Sequence, residues 1–182
     1  MPILKGLDPA TATGKTKQLL DGFQKALGLV PNLMRTLANS PAALAGYNSF
    51  NAALSQGTLS PQLREQLALA VANANNCDYC LSAHTALGSI AGLNPQQMLA
   101  AQQADSTDPK SQAALQFAFK VIENRGQLPA SEIDALRSAG FNDTEITEII
   151  ATIALNIFTN YFNHLAGTIV DFPAVRPVHS AA

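Results

Sequence analysis

Apolar residues return at three- and four-residue intervals along most of the chain. Leu63, Leu67, Ala70, Val71 and Ala74 form one such stripe, and Ile146, Ile149, Ile150, Ile153 and Ile157 form another. This is the period of a helix that buries one face, and no run alternates as a half-buried strand would. Ser40-Pro41, Ser60-Pro61, Asn94-Pro95 and Asp108-Pro109 each set a capping side chain before a proline, which suits the first helical position because no N–H is needed there. Gly28, Gly57, Gly92, Gly126 and Gly140 fall where left-handed glycines would end helices that begin near Thr13, Pro41, Cys77, Pro109 and Ala130. Asn142 to Glu145 reads as a capping box. The pattern predicts an all-α, bundle-like single domain spanning residues 1–182, with about eight helices joined by short loops. From Asp171 to Ala182 the periodicity stops around Pro173 and Pro177, so this irregular tail is expected to drape over a neighbouring molecule or to be loosely ordered.

Composition narrows the partners. Hydrophobic residues make up 47% of the 182 and charged residues only 13%, against about a quarter in an ordinary domain. A surface so poor in charge points to self-association, and a homo-oligomer is expected. The apolar terminal helix with Phe158, Tyr161 and Phe162 points the same way. With 11 basic and 13 acidic residues and no basic cluster, neither nucleic acid nor a membrane surface is an expected partner. The first residues carry no charged lead before an apolar core and no stretch is long enough to span a bilayer, so a cytoplasmic location is expected.

The two cysteines stand three apart and cannot staple distant parts of a fold, so they are catalytic, metal-binding or incidental. With Asn76 as helix cap, Cys77, Cys80 and His84 share one face, and the imidazole lies one turn beyond the second sulfur. On an unbroken helix Glu65 would be about 28 Å from His84. The Asn73-Ala74-Asn75-Asn76 cluster is a natural break, since asparagine tolerates left-handed backbone and competes for local hydrogen bonds. Two antiparallel helices around that break would set Glu65 facing His84. The carboxylate would then orient the imidazole, the imidazole would take the thiol proton of Cys80, and Cys77 would resolve whatever Cys80 forms. Such a dithiol cycle reduces a hydroperoxide through a sulfenic acid and a disulfide, needs a dithiol reductant, and needs no metal or flavin cofactor.

The pattern Glu-x11-Cys-x-Tyr-Cys-x3-His resembles the core motif of the alkylhydroperoxidase D-like (AhpD) group within the carboxymuconolactone decarboxylase superfamily. Gly28-Leu29-Val30-Pro31-Asn32 and the segment Asn156 to His164 extend the likeness toward its uncharacterised peroxidase-related branch. The resemblance implies an all-α fold assembling as trimers or hexamers and an antioxidant thiol peroxidase or disulfide reductase. It implies Cys80 as the peroxide-reactive thiol, Cys77 as its partner, and Glu65 and His84 as a proton relay. In the founding group the reductant is a lipoamide-type dithiol. The well-studied members carry histidine where this chain has Tyr79. Lactone decarboxylases lack the cysteine pair, which argues against decarboxylation.

Competing readings attach to the same residues. Cys77, Cys80 and His84, completed by Glu65 or water, could ligate zinc in a catalytically inert oligomeric domain, although structural zinc usually draws on two separate pairs. The cysteines could also be plain buried residues, and Glu65 alone would read as a solvated carboxylate. Tyr79 is expected to pack, its hydroxyl finding a partner. His164 with Asn156, Asn160 and Asn163 forms a polar stripe, expected to hydrogen-bond across a subunit interface, the alternative being that it shapes the pocket. Gly14-Lys15-Thr16 lacks the earlier glycine and the preceding strand of a phosphate loop. His179 is expected to be exposed or incidental.

Overall fold

The computed structural model describes residues 1–178, so His179 lies outside the described residues. Nine helices and no strand occur among them: α1 (Gly14–Leu27), α2 (Asn32–Leu37), α3 (Pro41–Ser55), α4 (Pro61–Ala74), α5 (Asp78–Ile90), α6 (Pro95–Gln102), α7 (Pro109–Glu123), α8 (Ala130–Ser138) and α9 (Asp143–Ala166). The ninth, beyond the eight expected, is the short α2, which starts directly after Pro31. The expected caps form: Ser40, Ser60, Asn94 and Asp108 each accept a backbone N–H from three residues on, and Asn142 and Glu145 close a reciprocal box.

Helix α4 is the axis of the domain. It is buried continuously from Gln66 to Ala72, as a helix packed on every side must be, and it touches α5, α6, α7 and α9. Its small residues Ala68, Ala70 and Ala72 let the neighbours approach, while Leu67, Leu69 and Val71 fill the space between them. Helices α1 and α2 pack on α3, which in turn leans on α9. This leaves the first three helices as a wall facing the α4–α5 pair.

Two expectations are corrected. Gly57 does not end α3 in the left-handed conformation; Gln56 is the cap, and positive φ occurs at Gly28, Gly92, Gly126 and Gly140 but not at Gly57. Its lack of a side chain serves packing instead. A Cβ there would lie 2.5 Å from Glu148 Oε2, the oxygen that accepts the Thr58 and Leu59 N–H groups at 2.7 and 3.1 Å. The tail is irregular, as expected, but from 171 to 178 it is not loose. It lies along its own α4 and α5, where Val175 N–H donates to Ser82 Oγ at 2.9 Å and Val178 exchanges two hydrogen bonds with the Asn73 amide. No described helix is long and apolar enough to cross a membrane.

Candidate active site

The turn between α4 and α5 sets up the site. Asn76 adopts φ 54°, its N–H donates to Asn73 O, and the Cys77 N–H donates back to Ala72 O at 2.9 Å. This is a Schellman closure with asparagine in the position usually held by glycine. Asn76 therefore terminates α4 and is not the cap of α5, contrary to the sequence expectation. That role falls to Cys77, which is outside the helix with extended backbone, its Sγ accepting the Cys80 N–H at 3.4 Å. Cys80 is inside the first turn. Both thiols are free and both are 2% exposed.

The two helices run back past each other, and Glu65 on α4 meets His84 on α5 with Oε2 2.8 Å from Nδ1. Both side chains are about one-fifth exposed. The carboxylate fixes the ring so that Nε2 is the free nitrogen. His84 makes no direct hydrogen bond to Cys80. The two groups instead share a cavity of about 290 Å³, to which Glu65 and Tyr47 also contribute. The rest of its wall is mainly apolar, including Phe23, Leu27, Leu33, Met34 and Leu87.

The polar stripe on α9 faces inward. Asn156, Asn160 and Asn163 are all buried, and Asn163 Nδ2 donates to Cys80 Sγ at 3.2 Å. His164 reaches Asn75 O at 2.9 Å, and the Asn160 amide oxygen accepts from Asn75 Nδ2 at 3.0 Å. The expectation of a subunit-interface role for these asparagines is thus overturned, because α9 packs that face on the α4–α5 turn. Burial alone would push the Cys80 thiol up, but the Cys77 thiol and the Asn163 amide, with Asn160 and Thr159 close by, outweigh it and hold Cys80 below the usual cysteine value. Cys77 goes the other way, held far above that value by its hydrogen bond to Cys80 and by burial.

Tyr79 packs as expected: its hydroxyl accepts the Leu33 N–H at 3.0 Å and its ring meets Phe172 edge-on at 5.9 Å. Tyr47 went unnoticed in the sequence. Its hydroxyl has no protein partner among the described residues, and burial and the nearby Cys80 and Glu65 push its ionisation well up, so it is a neutral donor facing the cavity. Nothing in the α3 sequence singles it out. As for zinc, no three His, Cys, Asp or Glu side chains among the described residues converge as a ligand set.

A buried dithiol, a carboxylate-oriented imidazole and an apolar cavity within an all-helical domain define the class. Residues 41–124, from α3 to α7, match the model of the carboxymuconolactone decarboxylase family. That match takes in just under half of the chain, and the whole chain has the alkylhydroperoxidase D-like fold. It is similar over 93% of its length to 92% of an alkylhydroperoxidase AhpD core, an uncharacterized peroxidase-related protein from Ralstonia eutropha JMP134, with 27% identity and a TM-score of 0.84. An uncharacterized peroxidase-related protein from Silicibacter sp. TM1040 is 25% identical over 91% of each chain, with a TM-score of 0.79. The debrominase Bmp8 shares the fold at 21% identity, over 93% of this chain and 92% of that one, with a TM-score of 0.79. No curated protein sequence matches the chain.

Proposed function

We propose that the protein is a thiol-dependent peroxidase with an antioxidant role, cycling Cys77 and Cys80 between dithiol and disulfide. The supporting observation is the asymmetric environment of the two sulfurs: of the two, only Cys80 lines the apolar cavity, and the Asn163 amide on α9 stabilises its thiolate. The Cys80 proton passes to His84 through a molecule held in the cavity, and Glu65 balances the imidazolium. The Cys80 thiolate attacks the terminal oxygen of a hydroperoxide, the O–O bond breaks, and the departing alkoxide takes the proton from His84. Cys80 is then a sulfenic acid. The Cys77 sulfur displaces its hydroxyl group, which leaves as water with the Cys77 thiol proton, and the disulfide forms. A dithiol returns two electrons and two protons. The mostly apolar cavity suits an alkyl rather than an inorganic peroxide.

The test is intact mass after mild treatment with cumene hydroperoxide. Loss of two hydrogens in wild type, restored by a dithiol and absent in Cys80→Ser, is the expected result. An unchanged mass with stoichiometric zinc in the purified protein would sink the reading in favour of a metal-holding domain. A brominated pyrrole belongs in the panel because 2,3,4-tribromopyrrole occupies a Bmp8 complex of the same fold; its consumption without peroxide turnover would replace the peroxide. We further propose a homo-oligomer, trimer or hexamer, built on the outer stripe of α9, where Ile150, Phe158, Tyr161 and Leu165 are exposed.

A further inference from the structure

The two thiols open onto different cavities. Cys80 lines the apolar cavity and Cys77 does not, whereas Cys77 lines a second cavity, about 280 Å³, from which Cys80 is absent. Tyr79 borders both and is the wall between them, held by the Leu33 N–H on one side and Phe172 on the other. The second cavity is polar. Asn76, Asp78, Asn163, His164 and Thr168 line it, together with Val170 from the chain after α9. Asn163 is 4% exposed, and neither its Oδ1 nor the Thr168 Oγ1 has a hydrogen-bond partner. Buried oxygens left unpaired in this way call for a donor from a ligand.

We infer that this second cavity is the reductant site, taking a small thiol that carries an N–H donor and delivering its sulfur to Cys77. The inference rests on the dithiol cycle proposed above. In the disulfide form an incoming thiolate has two sulfurs to choose between, and each cavity leads to one. Attack at Cys77 forms the mixed disulfide there and expels Cys80 as thiolate, into the environment of the Asn163 amide donor. The sulfur better stabilised as an anion is the better leaving group, so chemistry and access favour the same atom. The second thiol of the reductant then attacks its own bound sulfur, releases Cys77, and leaves as a cyclic disulfide. The reductant loses two electrons and two protons, which the cysteines gain. The unpaired Asn163 Oδ1 and Thr168 Oγ1 accept from any donor, and the Asp78 carboxylate, whose loose contact with the exposed Arg176 is 3.6 Å, favours an ammonium-bearing dithiol over one decorated with hydroxyls alone. Peroxide and reductant thus approach from opposite sides of Tyr79 and do not compete for space.

The experiment follows each half-reaction separately by stopped flow. The disulfide is prepared with diamide, so its formation does not depend on peroxide chemistry, and is reduced with dithiothreitol or with dithiobutylamine. Val170→Trp, which narrows the second cavity, is expected to slow reduction by both dithiols by about tenfold or more while leaving oxidation by cumene hydroperoxide within about twofold. Leu27→Trp, at the rim of the apolar cavity, is expected to do the reverse. Thr168→Val adds no bulk and guards against a folding defect; it should slow dithiobutylamine by about threefold to tenfold and dithiothreitol less. Equal slowing of both half-reactions by Val170→Trp in a protein of wild-type melting temperature would overturn the inference. So would unaltered reduction in both second-cavity variants, or slowed reduction in Leu27→Trp, which would bring the reductant in beside the peroxide. If peroxide never oxidises the wild type, the peroxidase reading fails, while the diamide-prepared disulfide still reports where reduction occurs.

Discussion

Replacing Asn163 by leucine removes the one side-chain N–H that lies within hydrogen-bonding distance of Cys80 Sγ, at 3.2 Å and out of reach of solvent. A hydrogen bond to a buried charge contributes about 1.5–3 kcal/mol, and each pH unit of ionisation is about 1.4 kcal/mol, so the midpoint for Cys80 should rise by about one to two pH units. The sign follows from which form is bound: the amide N–H stabilises the thiolate and offers the neutral thiol little. At any pH below the wild-type midpoint the thiolate population should fall by about tenfold to a hundredfold. The assay is the pH dependence of iodoacetamide alkylation in a Cys77→Ser background, where the serine hydroxyl keeps a donor beside Cys80. With Asn163 in place Cys80 should react below the pH at which an ordinary cysteine ionises, and Asn163→Leu should move that profile alkaline. A profile unmoved by the substitution would refute the assignment of Asn163 as the donor that poises Cys80.

Three further outcomes are expected. Tyr79 stays neutral well above the ordinary tyrosine value of 10.0 because burial opposes its charge, so folding stability should decline as pH rises past that value, by ~1.4 kcal/mol per pH unit for this group. Chemical denaturation of Tyr79→Phe should show a shallower alkaline decline, and a loss of about 1–3 kcal/mol at neutral pH from the unpaired Leu33 N–H; an unchanged slope would assign the decline elsewhere. Gly57→Ala should cost about 1–3 kcal/mol by urea unfolding, because the new methyl displaces the Glu148 carboxylate from two backbone N–H groups, and wild-type stability would show that Glu148 moves freely. Light scattering at micromolar concentration should give a multiple of the 19.1 kDa chain, and Phe158→Asp together with Leu165→Asp should yield the monomer; a monomeric wild type removes the oligomer.

The helices were legible because their start signals act locally. A serine, asparagine or aspartate before a proline caps whatever follows, and all four such pairs do so. The stops were less certain: glycine marks a left-handed residue in most places, but at Gly57 it marks a contact with Glu148, 91 positions away, which no local pattern reveals. The break at 73–76 was visible in its asparagines, yet the assignment of roles within it was not. Asparagine ranks high both as a helix cap and as a left-handed residue, and cysteine ranks low as a cap, so preference alone chose Asn76. The backbone bonds of α4 decided otherwise. Asn163 was noticed only as part of a polar stripe, since the sequence does not say which face of α9 meets the core. Tyr47 carried no signal, because its place beside Cys80 arises only when α3 docks against α9.

That last contrast bears on how a short motif separates two identical side chains. Helix position by itself favours Cys77: it is the cap, and its sulfur already accepts the Cys80 N–H at 3.4 Å. A helix terminus contributes about 0.3–1 kcal/mol to a nearby anion, however, against about 1.5–3 kcal/mol for one hydrogen bond to charge. The Asn163 donor on α9 reaches Cys80, so the contribution from a helix 83 residues away exceeds that of the helix the cysteines belong to. Cys77 is then most stable as the thiol that donates to its neighbour, and in the proposed cycle the docking of α9 sets the order of reactivity. A transplanted Cys-x-x-Cys turn without α9 would be expected to lose this preference, whereas replacing Tyr79 by histidine would leave the Asn163 donor, and hence the order, in place.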